Sequence, residues 1–421
     1  MRWYKWLILG GILLLGLLIL INRVRSQLWP LAADASATKK KSKQIKDHPE
    51  DTIFVSIVSY RDAIELSKTV QSLFTKASVP NRVTVGVHEQ TAEDPLDESP
   101  LDAEFEDIYD GKFSENVRVL STDCGQSEGP MWARAKVEKQ LYRGEKYYMQ
   151  IDSHTRFAQD WDAKLIDMMA NVEASTPVIT AVPANFDHET EIWEHTSPTF
   201  SVVTGLDAGG FPILGGKPFA SAPARCYKTP LVCPGFLFTL GSLIKKAPTD
   251  DVGAFLFFPE CLVQSARYFT HGARFYSPTE GVVAHCVDRS YRPLYWEQMT
   301  RRNDYHRLAA ATARCASLLY ADRCTVCDTA REHHTEDRGH SFMAEHAEQD
   351  DVHTTHGLGS HSSLEKFREW CGVGLGAGAD GDTRIVSPCR MGVVGDGKPS
   401  HEERVNKYGN VRAYKKTLSR L

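Results

Sequence analysis

The stretch KYYMQIDSH, residues 146–154, decides how the rest of the chain is read. Its aromatic and apolar residues fit a buried strand, and that strand ends on Asp152 and His154. In an extended chain, residues i and i+2 point to the same side. Asp152 and His154 can therefore aim at one point in space. A hard oxygen ligand beside an imidazole suits a divalent metal. Such a pair is common at strand ends, so its weight comes from its setting.

Upstream, TIFVSIVSY (52–60) is apolar at nearly every position, as a strand covered on both faces is. Asp62 reads as a helix N-cap. Leu66, Val70, Leu73 and Ala77 then recur at helical spacing. RVTVGVHEQ (82–90) alternates as a second strand, which makes a β-α-β unit and a parallel sheet with a right-handed crossover. Residues 91–110 are acidic and read as a surface loop. NVRVLSTD (116–123) predicts a third strand. GQSEGPMWARAKVEKQLYRG (125–144) predicts a loop and then a helix. Pro130 sits in its first turn, Ala133, Val137 and Leu141 line one face, and Gly144 takes the C′ position. KYYMQIDSH is then the fourth strand of a nucleotide-binding half-sheet. Ligands of such sheets sit beyond the carboxyl ends of the strands, where Asp152 and His154 lie.

Downstream, WDAKLIDMMANV (161–172) predicts a helix and PVITAVP (177–183) a strand. Residues 185–230 are rich in Gly, Pro and Ser and predict long loops. PGFLFTLGSLI (234–244) predicts a strand, and PECLVQSARYFTHG (259–272) a helix closed by Gly272. ARFYSP and GVVAHCV predict short extended segments, and LEKFREWCGV (364–373) a short helix.

The chain has 421 residues, ordinary globular composition and a net charge of −5, so no basic field argues for nucleic acid as a partner. The N-terminus is unusual. Residues 7–21 are uncharged and apolar, preceded by Trp3, Tyr4 and Trp6. This is shorter than the roughly 20 residues of a full membrane span, and it fits a signal anchor in a thin early-secretory membrane. A cleaved signal peptide is the competing reading, but the small residues of LAADASA lie far past the apolar run. Basic residues on its two sides nearly tie, so charge does not set the orientation. Residues 22–50 read as a stem. Among ten cysteines, Cys324 and Cys327 with His333 and His334 read as half a zinc site or as part of a disulfide pattern.

Two later residues extend the Asp152–His154 pair. GVVAHC offers His285 at the end of an apolar run, and Glu260 opens a helix. Mn²⁺ or Mg²⁺ held by carboxylate, imidazole and diphosphate oxygens serves sugar-nucleotide chemistry, and imidazole tilts the preference to Mn²⁺.

SIVSYRD (56–62), EGPMWARAKVEKQLYRGEKYYMQIDSHTRF (128–157), WDAKLI (161–166), FFPECLVQSARYFTHGARFYSP (257–278), VVAHCVDR (282–289) and GLGSHSSLEKFREWCGV (357–373) together resemble the polypeptide α-N-acetylglucosaminyltransferases. The resemblance implies an α/β GT-A fold, UDP-GlcNAc as donor and a retaining transfer to a Thr or Ser hydroxyl of a protein acceptor. It implies Asp152, His154 and His285 as metal ligands. It places Ser59, Tyr60 and Arg61 near uracil and ribose, Trp132, Arg134 and Asp152 near the nucleotide, and Glu260 at the donor sugar or acceptor. With the anchor, it implies a type II protein of the Golgi or ER, its catalytic domain lumenal. The layout that follows is a tail (1–6), anchor (7–21), stem (22–50), GT-A domain (51–300), Cys/His-rich extension (301–373) and Gly-rich basic tail (374–421). One departure bears on activity: where the family shows F-F-G-E-E, this chain has Phe257-Phe258-Pro259-Glu260-Cys261. Another donor or acceptor (UDP-GalNAc, a glycan, a lipid) and a non-catalytic UDP- or partner-binding homologue are the competing readings.

Overall fold

The computed structural model describes residues 50–92, 113–206, 211–251, 254–256, 258–302 and 356–372, with scattered positions between 304 and 319. The expected tail, anchor and stem, the Cys324/Cys327 segment and the basic tail lie outside the described residues.

The first strand, β1 (Ile53–Tyr60), leads into helix α1 (Ala63–Lys76) and strand β2 (Val83–Thr91). Strand β3 (Val117–Asp123), helix α2 (Pro130–Gln140), strand β4 (Tyr147–Asp152), the short β5 (Thr155–Phe157) and helix α3 (Trp161–Ala170) follow. Then come β6 (Pro177–Thr180), β7 (Ala184–Asn185), the hairpin of β8 (Thr199–Leu206) and β9 (Pro212–Pro218), β10 (Phe236–Leu240) and α4 (Gly241–Lys246). The chain continues through α5 (Phe258–Thr270), β11 (Arg274–Tyr276), β12 (Val283–His285), α6 (Tyr295–Arg302) and α7 (Leu364–Cys371).

Seven strands form one sheet in the order β11-β6-β10-β4-β1-β2-β3. Strands β1 to β4 run parallel, whereas β10 is antiparallel to both of its neighbours. A second sheet joins β5, β12 and β7, and its pairing of His285 with Thr155 brings β12 beside the end of β4.

Strand alternation sorts side chains into two cores, one on each face of the large sheet. Ile53, Val55 and Ile57 pack with Leu66, Val70 and Leu73 of α1 and Trp161 and Leu165 of α3. Phe54 and Tyr148 face the other way, toward Val137 of α2, Leu243 of α4 and Leu262, Ala266 and Phe269 of α5. Each such fully buried large side chain contributes roughly 1.5–3 kcal/mol. Burial on both faces is why these strands read as continuous apolar runs.

Several boundaries differ from expectation. Helix α2 stops at Gln140, so Gly144 is a turn residue (φ +103°) rather than its C′ glycine. Arg118 ends the helix by donating from Nη1 to the Leu141 carbonyl at 2.6 Å. The stretch 234–244 is not one strand. The chain turns at Gly241 into a short helix, and a Cβ there would lie 2.0 Å from the Tyr142 hydroxyl. Residues 185–230, expected as loops, contain the β8–β9 hairpin. Asp62 does occupy the N-cap position of α1, but its side chain makes no capping bond.

The C-terminal segment docks on the end of α5. Gly359 N donates to Thr270 Oγ1 at 2.9 Å, and His361 N and Ser362 N donate to the Thr270 carbonyl. Phe367 packs against Phe269 at 5.6 Å between ring centroids. The T-H-G block and the G-L-G-S-H block are thus partners in space. A Cβ on Gly359 would sit 2.6 Å from the Thr270 carbonyl oxygen and 2.7 Å from His271 Cγ. Gly359→Ala is therefore expected to lower stability by about 1–3 kcal/mol. Urea denaturation of the variant beside the parent protein checks this, and an unchanged midpoint would contradict the docking.

Candidate active site

The site forms where β4 ends. Asp152 is the last residue of β4, His154 follows in the turn to β5, and His285 ends β12. Asp152 Oδ2 lies 2.9 Å from His285 Nε2 and 4.0 Å from His154 Nε2. The two imidazoles meet edge to face at 4.8 Å. One ligand atom from each residue falls within 4.8 Å of the others.

The electrostatics suit metal ligation. Burial holds the His154 and His285 imidazoles below their ordinary range, and the nearby Arg289 pushes both the same way. Both are thus neutral, as metal ligands must be. Partial burial would raise the Asp152 carboxyl. The His285 hydrogen bond and the nearby Arg134 guanidinium outweigh it and hold Asp152 well below the usual carboxylate range. His154 Nε2 is buried and has no hydrogen-bond partner. An orphaned imidazole nitrogen, a second neutral imidazole and an ionised carboxylate around one point form a donor set that fits Mn²⁺.

Helix α1 holds the turn that carries His154. Thr69 Oγ1 lies 2.6 Å from the Ser153 carbonyl and accepts from Thr155 N at 3.0 Å. From the first turn of the same helix, Asp62 accepts from Ser153 Oγ at 2.7 Å and faces His154 Nδ1 at 2.8 Å. The left-handed backbone at Arg61 (φ +50°) makes the sharp turn from β1 into α1.

Arg134 is the second support. It is buried on α2 and donates from Nη2 to Asp152 Oδ1 at 3.0 Å, while Nη1 donates to Glu260. Glu260 lies in the first turn of α5, where the helix dipole favours a carboxylate. It touches Arg134 and does not line the cavity beside the metal ligands. Cys261 points into the apolar core.

A cavity of about 120 Å³ opens beside the triad. Its walls include Tyr60, Gln90 and Ser127, and then Arg289, Arg292, Leu294, Tyr295 and Trp296. Of the nucleotide candidates, Tyr60 and Asp152 line this cavity. Ser59 is buried beneath it, its carbonyl accepting from Gln90 Nε2 at 3.0 Å. The Arg61 amide donates to the Gln90 carbonyl. Trp132 lies outside the cavity, tilted against His88 at 5.1 Å between ring centroids, with Lys136 over its ring. The 289–296 wall was not singled out from sequence, although R-S-Y-R directly after the His285 strand was a visible cationic signal.

A mainly parallel sheet with one antiparallel strand, and a D-x-H pair joined by a later histidine in a cluster that could hold a metal ion, fit the GT-A arrangement. The chain belongs to the glycosyltransferase (GlcNAc) family, whose model matches residues 52–107 and 102–375. Among solved structures it is similar to GalNAc-T7 with UDP, GalNAc and Mn²⁺, at 16% identity and a TM-score of 0.47, covering 73% of this chain and 59% of that one. It is also similar to the mannosyltransferase PcManGT from Pyrobaculum calidifontis in complex with GDP-Man and Mn²⁺, at 12% identity and a TM-score of 0.40, covering 84% and 90%. A third is S. aureus TarS 1-349 in complex with UDP-GlcNAc, at 12% identity and a TM-score of 0.34, covering 76% and 88%. The chain spans about three-fifths of the length of GalNAc-T7. A comparison with curated proteins finds no match.

Two predictions follow from this geometry. Glu260→Ala leaves the buried Arg134 with one partner, and breaking a buried pair costs about 3–5 kcal/mol. Denaturation of the variant should show that loss, and a stability equal to the parent's would mean Glu260 does not hold Arg134. The second concerns acid. Burial lowers His88 to about 4 from an ordinary 6.5. Its neutral form is the folded form, so stability is full above about pH 6.5 and falls as pH drops toward 4, by about 3 kcal/mol. Stability measured across that window should decline less steeply in His88→Asn.

Proposed function

We propose that the chain is a metal-dependent glycosyltransferase moving GlcNAc from UDP-GlcNAc to a Thr or Ser hydroxyl of a protein acceptor, with retention at the anomeric carbon. The observation that carries this is the convergence of Asp152, His154 and His285 within 4.8 Å at the carboxyl end of β4. Mn²⁺ would be held by these three residues, and when bound it neutralises charge developing on the departing diphosphate.

The chain's own groups fit the remaining tasks. Arg289 and Arg292 put two guanidiniums on the cavity wall, suited to diphosphate oxygens. Tyr60, Leu294, Tyr295 and Trp296 supply an apolar and aromatic wall suited to a nucleobase. Arg134, fixed by Glu260, keeps Asp152 oriented. Among the described residues, Asp152 is the only carboxylate lining the cavity, and it is engaged by Arg134 and His285. No side chain is therefore placed as a covalent nucleophile, which supports attack of the acceptor hydroxyl on the face the diphosphate leaves. The cavity is smaller than the roughly 300–1,000 Å³ of small-molecule sites.

The apolar run 7–21 supports a membrane anchor, and the family resemblance supports reading it as single-pass type II in the Golgi or ER with the catalytic unit lumenal. Among the described residues, no helix is long and apolar enough to cross a membrane.

The test is UDP release by the full chain in detergent, with UDP-GlcNAc, a Thr/Pro-rich peptide and Mn²⁺. Asp152→Ala should lower turnover by about 100-fold or more. Turnover equal to the parent's in metal-limited conditions would overturn the assignment. UDP-GalNAc, a glycan or a lipid working better would reassign donor or acceptor. Mn²⁺-dependent UDP binding without turnover on any of them would favour the partner-binding reading.

A further inference from the structure

Asp62 has no use as a cap, although it stands where one is expected. A capping aspartate typically contributes about 1 kcal/mol, and this one makes no such bond. Its carboxylate turns instead to the His154 turn, with Oδ2 2.7 Å from Ser153 Oγ, 2.8 Å from His154 Nδ1 and 3.2 Å from Arg292 Nε. It is buried, and Arg292 supplies the balancing charge.

This placement decides which face His154 presents. Asp62 Oδ2 accepts from Ser153 Oγ and meets the Arg292 guanidinium, so it faces His154 as an acceptor and the imidazole nitrogen beside it carries the proton. That leaves the lone pair on Nε2. Nε2 is the buried nitrogen without a partner, and it faces Asp152 Oδ2 and the His285 ring. Thr69 restrains the backbone on both sides of the ring, so the remaining freedom is rotation of the imidazole, and Asp62 removes it. Resting on the metal-centre reading above, we propose that Asp62 is a positioning residue: it holds His154 as the Nδ1–H tautomer with Nε2 directed at the metal, and so sets metal affinity. A carboxylate behind a metal-bound histidine typically contributes about 10- to 100-fold in affinity.

The test uses the full chain without nucleotide and reads Mn²⁺ binding from the free-ion EPR signal. Asp62→Ala should bind Mn²⁺ about 10- to 100-fold more weakly. Asp62→Asn, whose amide oxygen can still accept from Nδ1–H, should recover part of that loss. Asp62→Ala that keeps the parent's thermal transition and its affinity would overturn the proposal. A second readout needs no folded Asp62 variant. Long-range ¹H–¹⁵N spectra of histidine-labelled parent protein, with His154 assigned by loss of its signals in His154→Gln, should show the Nδ1–H tautomer. An Nε2–H tautomer would overturn the proposal. Failure of the metal reading is separable, because the parent protein itself would then bind no Mn²⁺.

Discussion

Burying the Arg134 guanidinium commits the molecule to two carboxylates. A charge taken out of water is tolerated only where opposite charge and hydrogen bonds meet it. Glu260 meets one side of the guanidinium and Asp152 the other, so α5, α2 and the end of β4 are tied through one planar group. The tie also works in reverse. Of those two carboxylates only Asp152 reaches the cavity, and its direction is set by a fork whose other arm is locked in the core. On the far side of the cluster Asp62 stands between the Arg292 guanidinium and the neutral His154 imidazole. Charged groups outside the cavity thus orient Asp152 and His154 and leave their inward-facing atoms for chemistry. A buried ion pair adds little net stability; here it specifies orientation.

Local signals made the scaffold legible. The strands buried on both faces announced themselves as apolar runs, and the helices as 3.6-residue stripes, because each pattern is enforced by the residues' own packing. The cluster that could hold a metal was legible for the same reason: Asp152 and His154 share a strand end, and His285 ends another apolar run. What the sequence hid was non-local. Leu141 ends α2 because Arg118 reaches it from another strand. The β10 segment gives way to a helix at Gly241, a residue that must be glycine because Tyr142 occupies the space a side chain would need. The β8–β9 hairpin lacks apolar alternation because much of it is only half-buried, so periodicity had little to report.

The same distinction separates the site residues. Tyr60 and Asp152 were reachable by position, both at the carboxyl ends of the paired strands β1 and β4. Arg289, Arg292 and Trp296 come from a segment without periodic pattern, and only the fold shows that it closes over β4. Asp62 was placed rightly at the N-cap position, but the partner of its side chain was hidden. An aspartate before a helix is a cap by local rule, and only the tertiary contact with His154, 92 residues away, overrides it.

Local rule and tertiary contact also settle what Cys261 means. In sequence, the change from the F-F-G-E-E pattern looks like a lost active-site carboxylate. In the structure, residue 261 lies on the core side of α5, among Leu262, Val263 and the β9 backbone, with Sγ 3.8 Å from the Pro212 carbonyl. A helix turns about 100° per residue, so adjacent positions on α5 cannot share a target. Glu260 faces Arg134; Cys261 therefore faces elsewhere, into an apolar surround where a small thiol is at home and an ionised carboxylate would need a partner. The substitution leaves the Glu260–Arg134–Asp152 chain whole, and with it the orientation on which the metal centre depends.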